Sequence, residues 1–144
     1  MKKLRRKVRN YDTKFIIFEE KVKTVEQAKK VLNISSKEII KSLVVAGDEP
    51  FVCIVPGNKS VSFKKLKKIY ENIRMATKEE VFEATGYEVG GVPPIVDTRV
   101  LIDKRVMKRG YVYGGGGNTQ TLLRIKPADI VAINENVGIV DIAE

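Results

Sequence analysis

The sequence predicts a single domain of the mixed α/β (α+β) class, and two observations carry that prediction. The chain of 144 residues has 43% hydrophobic and 31% charged residues, as is usual for a globular protein with one core. Short runs rich in β-branched residues alternate with a few stretches of helical period, and most connections have hairpin length. We therefore expect a mostly antiparallel sheet with about three helices.

Each element follows from a local pattern. Thr-x-x-Gln at Thr24 and Thr-x-x-Glu at Thr77 are capping-box patterns, so a helix is predicted after each. Gly86 is placed to end the second of these helices in the left-handed conformation. A third helix is predicted from Ser62, and a single turn at residues 127–129. The predicted strands are residues 14–18, 39–45, 51–55, 73–76, 99–103, 111–113, 122–126, 130–134 and 138–142.

Lys41 is the most informative residue, because it interrupts an apolar strand. Strand alternation places Lys41 on the same face as Leu43 and Val45. Burying an ammonium group without a partner costs on the order of several kcal/mol. Two interpretations stay open: the side chain reaches solvent at a strand end, or it points into a pocket where an anionic group meets it.

The absence of histidine excludes several classes of active site. Ser-His-Asp and Cys-His catalysis need an imidazole, and zinc sites need more ligands than one cysteine supplies. That cysteine, Cys53, lies in an apolar run and is predicted to be a core residue rather than a nucleophile. We expect neither a metal nor a cofactor, so any chemistry must use lysine, carboxylates, hydroxyls, backbone amides, water or the substrate itself.

The net charge of +9 is concentrated in three basic clusters. These are an N-terminal arm within residues 1–13, the predicted helix after Ser62, and residues 104–109. A solvated face would explain each cluster alone, but together they favour a polyanionic partner, nucleic acid before a membrane surface. The residues expected to contact it are Lys2, Lys3, Arg5, Arg6, Lys64, Lys65 and Lys68.

The sequence gives no indication of a membrane partner or of secretion. No apolar stretch approaches the ~20 residues needed to span a bilayer. No apolar segment follows the basic N-terminus as it would in a secretory signal. With a single cysteine, a reducing, cytoplasmic location is expected.

Two glycine-containing loops are candidates for a ligand site. In residues 90–94, Gly-Gly-Val-Pro-Pro, the glycines permit unusual backbone conformations and the prolines stiffen the rest. Residues 114–117 are four consecutive glycines, which suggests close approach of a ligand or another strand. Neither loop matches a phosphate-binding fingerprint, and either could be a tight surface turn.

Five segments, taken in order, carry a resemblance to a known family. They are Ile40-Lys41-Ser42-Leu43, residues 85–94, Val100-Leu101-Ile102-Asp103, Gly115-Gly116-Gly117 and residues 123–130. In this order and spacing they resemble the YbaK/prolyl-tRNA-synthetase-associated editing domain. The resemblance covers roughly residues 20 to 144, so residues 14–144 are predicted to form one editing domain after the basic arm.

The resemblance implies a fold and a site. The fold is a mostly antiparallel sheet curled into a barrel-like core with helices packed outside. Lys41 matches the family's required lysine, and Gly90 and Gly91 join it as implied catalytic positions. The implied substrate-binding residues are Val92, Pro93, Pro94, Gly115, Gly116, Gly117 and Thr121. Many members carry a histidine where Thr121 or Gln120 stands here, which leaves the amino-acid specificity open.

From these observations we predict a trans-acting aminoacyl-tRNA deacylase. Its partner would be the aminoacylated 3′ end of a tRNA, with an aminoacyl-tRNA synthetase as a further candidate. The expected substrate carries alanine, cysteine or serine on tRNA(Pro) or a related tRNA. Asp103 is a weaker candidate for a general base. The alternative is a non-catalytic RNA-binding or synthetase-associated module on the same fold.

Overall fold

The computed structural model describes residues 2–144, which contain five α-helices, two short 3-10 helices (Ser36–Glu38 and Val106–Lys108) and eight strands. The helices are α1 (Lys2–Val8), α2 (Val25–Leu32), α3 (Phe63–Leu66), α4 (Lys78–Thr85) and α5 (Pro127–Ile133). The strands are β1 (Lys14–Ile17), β2 (Ile40–Ala46), β3 (Phe51–Pro56), β4 (Arg74–Met75), β5 (Arg99–Asp103), β6 (Val112–Gly115), β7 (Thr121–Ile125) and β8 (Val137–Val140). The predicted mixed α/β class is confirmed. None of these helices has the length and apolar character needed to cross a membrane.

The strands form two sheets rather than a closed barrel. One has the order β4-β2-β3-β5-β8 and the other the order β1-β7-β6. Four of the six strand pairings are antiparallel, while β3–β5 and β5–β8 are parallel. A bridge between Ile39 and Tyr113 joins the sheets. The prediction of a barrel-like closed sheet is therefore wrong. Within the described chain, β1 and β8 are edge strands that do not pair with each other.

Strand β3 lies at the centre of the larger sheet and is buried on both faces. All six of its residues are buried, in keeping with its continuous apolar sequence. Because side chains alternate along a strand, Val52 and Ile54 pack into the main core on one face. Cys53 and Val55 pack into a second core on the other face. The prediction that Cys53 is a core residue is confirmed.

The two capping boxes position α2 and α4 as predicted. The Oγ1 of Thr24 accepts the backbone N–H of Gln27, and that of Thr77 accepts the backbone N–H of Glu80. Each cap satisfies helix N–H groups that have no partner inside the helix. Helix α4 ends at Gly86, whose φ of 79° is the left-handed conformation that glycine adopts without strain.

Helix α5 replaces a predicted strand. Residues 130–134 were expected to be extended because of their β-branched content, and that prediction is wrong. Pro127 takes the first helical position, where its fixed φ is favourable, and Asp129 lies in the positively polarised first turn. Ile130 then packs into the main core. These helix-start signals outweigh the strand propensity of the residues that follow.

The two basic segments at residues 1–13 and 62–70 are helical to different degrees. The expected N-terminal arm forms α1, and its Leu4 and Val8, one helical turn apart, are buried in the main core. Its basic side chains are exposed except that of Lys7, which is half-buried and pairs with Asp97. The helix predicted from Ser62 is α3, which is only four residues long, and Ile69 beyond it is exposed instead of buried.

Candidate active site

A pocket of about 400 Å³ lies where the sheet splits beside β2. Strand β4 pairs with the end of β2 at Val45 and Ala46, while the bridge at Ile39 joins the start of β2 to β6. Between these contacts, residues 40–44 line the pocket along the open edge of β2. The gap between the two sheets therefore creates the pocket.

Lys41 lines this pocket as a half-buried cation. It faces Val55 across the β2–β3 ladder, and burial lowers the pKa of its ammonium group below the ordinary value of 10.5. None of the described residues that line the pocket is Asp or Glu. No carboxylate among residues 2–144 forms an ion pair with Lys41. The site thus offers an uncompensated positive charge beside apolar walls, which suits an oxygen atom that carries or gains negative charge.

The two glycine loops meet at one wall of the pocket. Gly90 and Val92 of the first loop and Gly115 of the second line it. The backbone N–H of Gly117 donates to the carbonyl oxygen of Gly91 over 2.9 Å. A Cβ atom on Gly115 would overlap the carbonyl oxygen of Val92. The second loop therefore needs glycine so that the first loop can pack against it.

Two of the three backbone N–H groups in the first loop are unpaired within the described chain. The N–H of Gly91 is engaged, since it donates to the carbonyl oxygen of Glu88 over 2.9 Å. Pro93 and Pro94 have no N–H. The N–H groups of Gly90 and Val92 have no acceptor within the described chain, and both residues line the pocket. They are the donors this loop can offer in addition to Lys41.

The other predicted substrate-binding residues lie outside the pocket lining. Pro94 is buried, and its carbonyl oxygen accepts a hydrogen bond from Asn134. Thr121 is only 2% exposed, and its carbonyl oxygen accepts the N–H of Gly116 over 2.9 Å. The predicted residues that do not line the pocket are Gly91, Pro93, Pro94, Gly116, Gly117 and Thr121.

Asn134 holds the proline-containing loop in place, and sequence reasoning missed it. Its Nδ2 donates to the carbonyl oxygen of Pro94 over 2.8 Å, and its Oδ1 accepts the N–H of Val96 over 3.1 Å. Asn134 is the C-cap of α5, so the error in predicting that helix as a strand hid its role. The available signal was a single amide side chain directly after an apolar run.

Much of the remaining wall is apolar and comes from elements that the sequence did not connect with the site. Helices α2 and α4, strand β4 and the residue directly after β4 each contribute side chains to it. These include Val25, Ala28, Met75, Ala76 and Val81.

Asp103 and Cys53 are both structural. The Oδ1 of Asp103 accepts the N–H groups of Ile142 and Ala143, each over 2.9 Å, so this buried carboxylate holds the C-terminal segment. It does not line the pocket. Burial raises the pKa of the Cys53 thiol to about 12, which keeps it protonated at neutral pH. Across residues 2–144, no three His, Cys, Asp or Glu side chains are grouped so that they could hold a metal ion.

The basic residues predicted to bind a polyanion differ in their accessibility. The Nζ of Lys65 contacts Asp141 over 2.8 Å and the carbonyl oxygen of Ala143 over 2.7 Å, so it is engaged within the protein. Lys3 pairs with Asp97. The predicted residues whose side chains stay exposed without an ion pair in the described chain are Lys2, Arg5, Arg6, Lys64 and Lys68.

Comparison with known sequences identifies related proteins. The family described as aminoacyl-tRNA editing domain matches residues 19–133. The proline–tRNA ligase of Thermosipho africanus is 36% identical over 105 residues, which are 69% of this chain and 19% of the ligase. The uncharacterized protein YwhH of Bacillus subtilis is 29% identical over 119 residues, 78% of this chain and 76% of YwhH. The chain thus spans about a fifth of the length of the ligase that it matches.

Two crystal structures share this fold. The hypothetical protein APE2540 superposes with a TM-score of 0.87 at 32% identity, covering 96% of this chain and 95% of that chain. A candidate trans-editing enzyme for prolyl tRNA synthetase superposes with a TM-score of 0.87 over 99% of this chain and 96% of its own. Its identity to this chain is 24%, so this second likeness is one of fold alone.

Proposed function

The chain belongs to the aminoacyl-tRNA editing domain family, and we propose that it is a trans-acting aminoacyl-tRNA deacylase. Its substrate would be the ester of a mischarged tRNA that carries alanine, cysteine or serine on tRNA(Pro) or a related tRNA. One observation supports this most strongly: the uncompensated ammonium group of Lys41 lines a pocket beside two packed glycine loops.

Hydrolysis of such an ester needs a positioned water molecule and stabilisation of the charge that develops on the carbonyl oxygen. The water oxygen forms a bond to the carbonyl carbon, the bond to the ribose oxygen breaks, and a proton from the water ends on that ribose oxygen. The ammonium group of Lys41 would face the oxygen that gains charge, and the apolar surround strengthens this attraction. The N–H groups of Gly90 and Val92 would add donors.

Proton transfer would rely on the substrate and on water. The chain has no histidine, and none of the described residues that line the pocket is a carboxylate. A ribose hydroxyl next to the ester would accept a hydrogen bond from the attacking water and pass its own proton to the leaving ribose oxygen as it takes up the proton of the water. Every aminoacyl-tRNA has such a hydroxyl on its terminal ribose, so the protein need not supply a general base.

The lining favours a small amino acid. Backbone at Gly90 and Gly115 forms part of the wall, and short side chains such as Val25, Ala28 and Ala76 form much of the rest. Such a surface accommodates a methyl, thiol or hydroxymethyl group and offers no carboxylate to a basic side chain. We propose a prolyl-tRNA synthetase as the protein partner and the cytoplasm, where tRNA is charged, as the location.

The test is a deacylation assay over alanyl-, cysteinyl-, seryl- and phenylalanyl-tRNA, with Lys41→Ala as the matched inactive variant. We expect the parent protein to hydrolyse at least one ester of a small amino acid and to spare phenylalanyl-tRNA. A parent protein that binds these tRNAs and hydrolyses none of them would support the alternative, a non-catalytic RNA-binding or synthetase-associated module.

A further inference from the structure

Ser42, the residue after Lys41, has a buried hydroxyl group without a partner. Its Oγ is shielded from solvent, and no group among residues 2–144 forms a hydrogen bond with it. Buried side-chain polar atoms nearly always have a partner, because losing hydrogen bonds to water without replacement is costly. Ser42 also lines the pocket. Its hydroxyl is therefore a polar group at the pocket wall that lacks a hydrogen bond.

The backbone of Ser42 lies on the open edge of β2. The N–H of Ala76 donates to the carbonyl oxygen of Val44 over 3.1 Å, so the polar groups of Val44 point towards β4. Backbone groups two residues apart in a strand point to the same side, so those of Ser42 do as well. Strand β4 reaches only Val45 and Ala46 within the described chain, which leaves the N–H and C=O of Ser42 facing the gap.

We propose that Ser42 receives the α-amino group of the aminoacyl moiety and so selects aminoacyl esters over other acyl esters. The inference rests on the proposed deacylase function. The side chains of Lys41 and Ser42 leave opposite faces of β2, but both residues line the pocket at the open edge of this strand. If Lys41 reaches the ester oxygen from one side of that edge, the α-amino group, one carbon away, needs an acceptor at the edge itself. Ser42 offers two, Oγ and its carbonyl oxygen. The hydroxyl of Thr24, which also lines the pocket, already accepts the N–H of Gln27 over 3.1 Å.

The charge of the lining favours the neutral form of this amino group. Lys23 and Lys41 line the pocket, and the described lining residues include no carboxylate. A protonated α-amino group would meet like charges without a counter-ion, whereas the neutral amine loses little. Substrate KM should therefore fall as the pH rises through the α-amino pKa, which is about 7.7–8.0 in peptides.

Two esters on the same tRNA separate this contact from a general effect on activity. Alanyl-tRNA carries the α-amino group, and propionyl-tRNA has hydrogen in its place. We expect Ser42→Ala to lower kcat/KM about tenfold on the alanyl ester, and less than about twofold on the propionyl ester, as for one lost hydrogen bond. Ser42→Thr, which keeps the hydroxyl, should retain the preference. Ser60→Ala, at an exposed serine outside the lining, is the matched control.

The melting temperature of Ser42→Ala distinguishes a binding role from a structural role. If Ser42 stabilised the fold, its replacement would lower the melting temperature. Removing an unsatisfied buried hydroxyl should leave the melting temperature of Ser42→Ala unchanged or higher. Equal loss on both esters, or a lower melting temperature with the ester preference intact, overturns the inference. Selective loss in Tyr113→Phe instead assigns the contact to another hydroxyl of the lining and also overturns it. In these cases the parent still hydrolyses alanyl-tRNA; a parent inactive on both esters overturns the deacylase proposal as well.

Discussion

The backbone N–H of Gly117 donates a 2.9 Å hydrogen bond to the carbonyl oxygen of Gly91, and this contact joins the two glycine loops. Next to it, a Cβ on Gly91 would lie 3.0 Å from backbone atoms of Asn118. Both sides of the contact are main chain. The position of the pocket wall at Gly90 and Val92 therefore depends on glycines that let the two loops approach. It also depends on the two hydrogen bonds that Asn134 makes to Pro94 and Val96.

Gly115→Ala should lower deacylation without abolishing tRNA binding. The added methyl group would overlap the carbonyl oxygen of Val92, so the first loop has to move. Misplacing a reacting group by about 1 Å can cost on the order of a hundredfold in rate. Single-turnover rates and tRNA affinity of this variant are the measurements. Gly110→Ala is the control, because its new methyl group would have no atom within 4 Å other than those of the residue itself and its two chain neighbours. Parent-like rates for Gly115→Ala would contradict the packing argument.

Local patterns predicted much of the fold, whereas the pocket depends on distant contacts. The capping boxes at Thr24 and Thr77 and the apolar run of β3 act within a few residues, so the sequence shows them directly. The contact between Asn134 and Pro94 spans 40 positions and has no local signature. The gap beside β2 is equally invisible, because it depends on where β4 and β6 stop pairing. Lys41 was recognisable because a charge within an apolar strand conflicts with its surroundings.

tRNA binding should weaken steeply with salt, through the exposed cations of α1 and of residues 62–70. Each phosphate contact contributes about 0.9 to the slope of log affinity against log salt. Because Leu4 and Val8 are core residues, truncating α1 would damage the fold, and point substitutions are needed. Lys2→Gln with Arg6→Gln, and separately Lys64→Gln with Lys68→Gln, should each reduce the slope by about 1–2.

The control for the salt experiment is Lys65→Gln. Its ammonium group is already engaged with Asp141 and Ala143, so the change should affect stability more than the salt slope. Affinity that does not change with salt concentration would contradict the electrostatic interpretation.

Cys53→Ser should leave turnover within a few-fold of the parent and lower thermal stability. The thiol lies in the second core, and its pKa of about 12 leaves almost no thiolate at neutral pH. A serine hydroxyl there would be buried among apolar side chains without a hydrogen-bond partner. Alkylation of the native protein by iodoacetamide at pH 7.5 should accordingly be slow until the protein unfolds. A folded Cys53→Ser protein without activity would refute the structural assignment.

Glu80 should make the stability of α4 depend on acidic pH. The hydrogen bond from Arg74, followed by that from the Thr77 backbone, lowers the pKa of Glu80 to about 2 in the folded protein. Because the folded pKa lies below the ordinary value of 4.5, this stabilisation is present above pH 4.5 and is lost as the pH falls towards 2. Glu80→Gln should therefore melt below the parent at pH 7 and converge with it near pH 2. Glu79→Gln, at an exposed first-turn position, should show a smaller difference.

The melting temperature of Lys41→Ala should equal or exceed that of the parent near neutral pH. Burial lowers the pKa of the Lys41 ammonium in the folded state, so the folded protein holds this charge at a cost while the pH stays below that lowered value. The cost fades as the pH rises towards 10.5, where the unfolded lysine also loses its proton. The advantage of Lys41→Ala in thermal melts should shrink over the same range. A variant that melts well below the parent at pH 7 would indicate that Lys41 is held by interactions within the fold.

Lys41→Ala should reduce single-turnover deacylation about a hundredfold, which corresponds to roughly 3 kcal/mol of lost transition-state stabilisation. The reason is that Lys41 is the half-buried cation of the lining and lies in the same pocket as Gly90 and Val92, whose N–H groups are unpaired, so the ester oxygen would gain charge beside it. Lys41→Arg should also be poor, since a wider planar guanidinium presents different geometry in the same space. Lys37→Ala, at an exposed lysine outside the lining, should leave the rate within about twofold, because surface substitutions away from such features have small effects. Near-parent turnover by a well-folded Lys41→Ala protein would remove this residue from the mechanism and favour a module that binds tRNA without hydrolysing it.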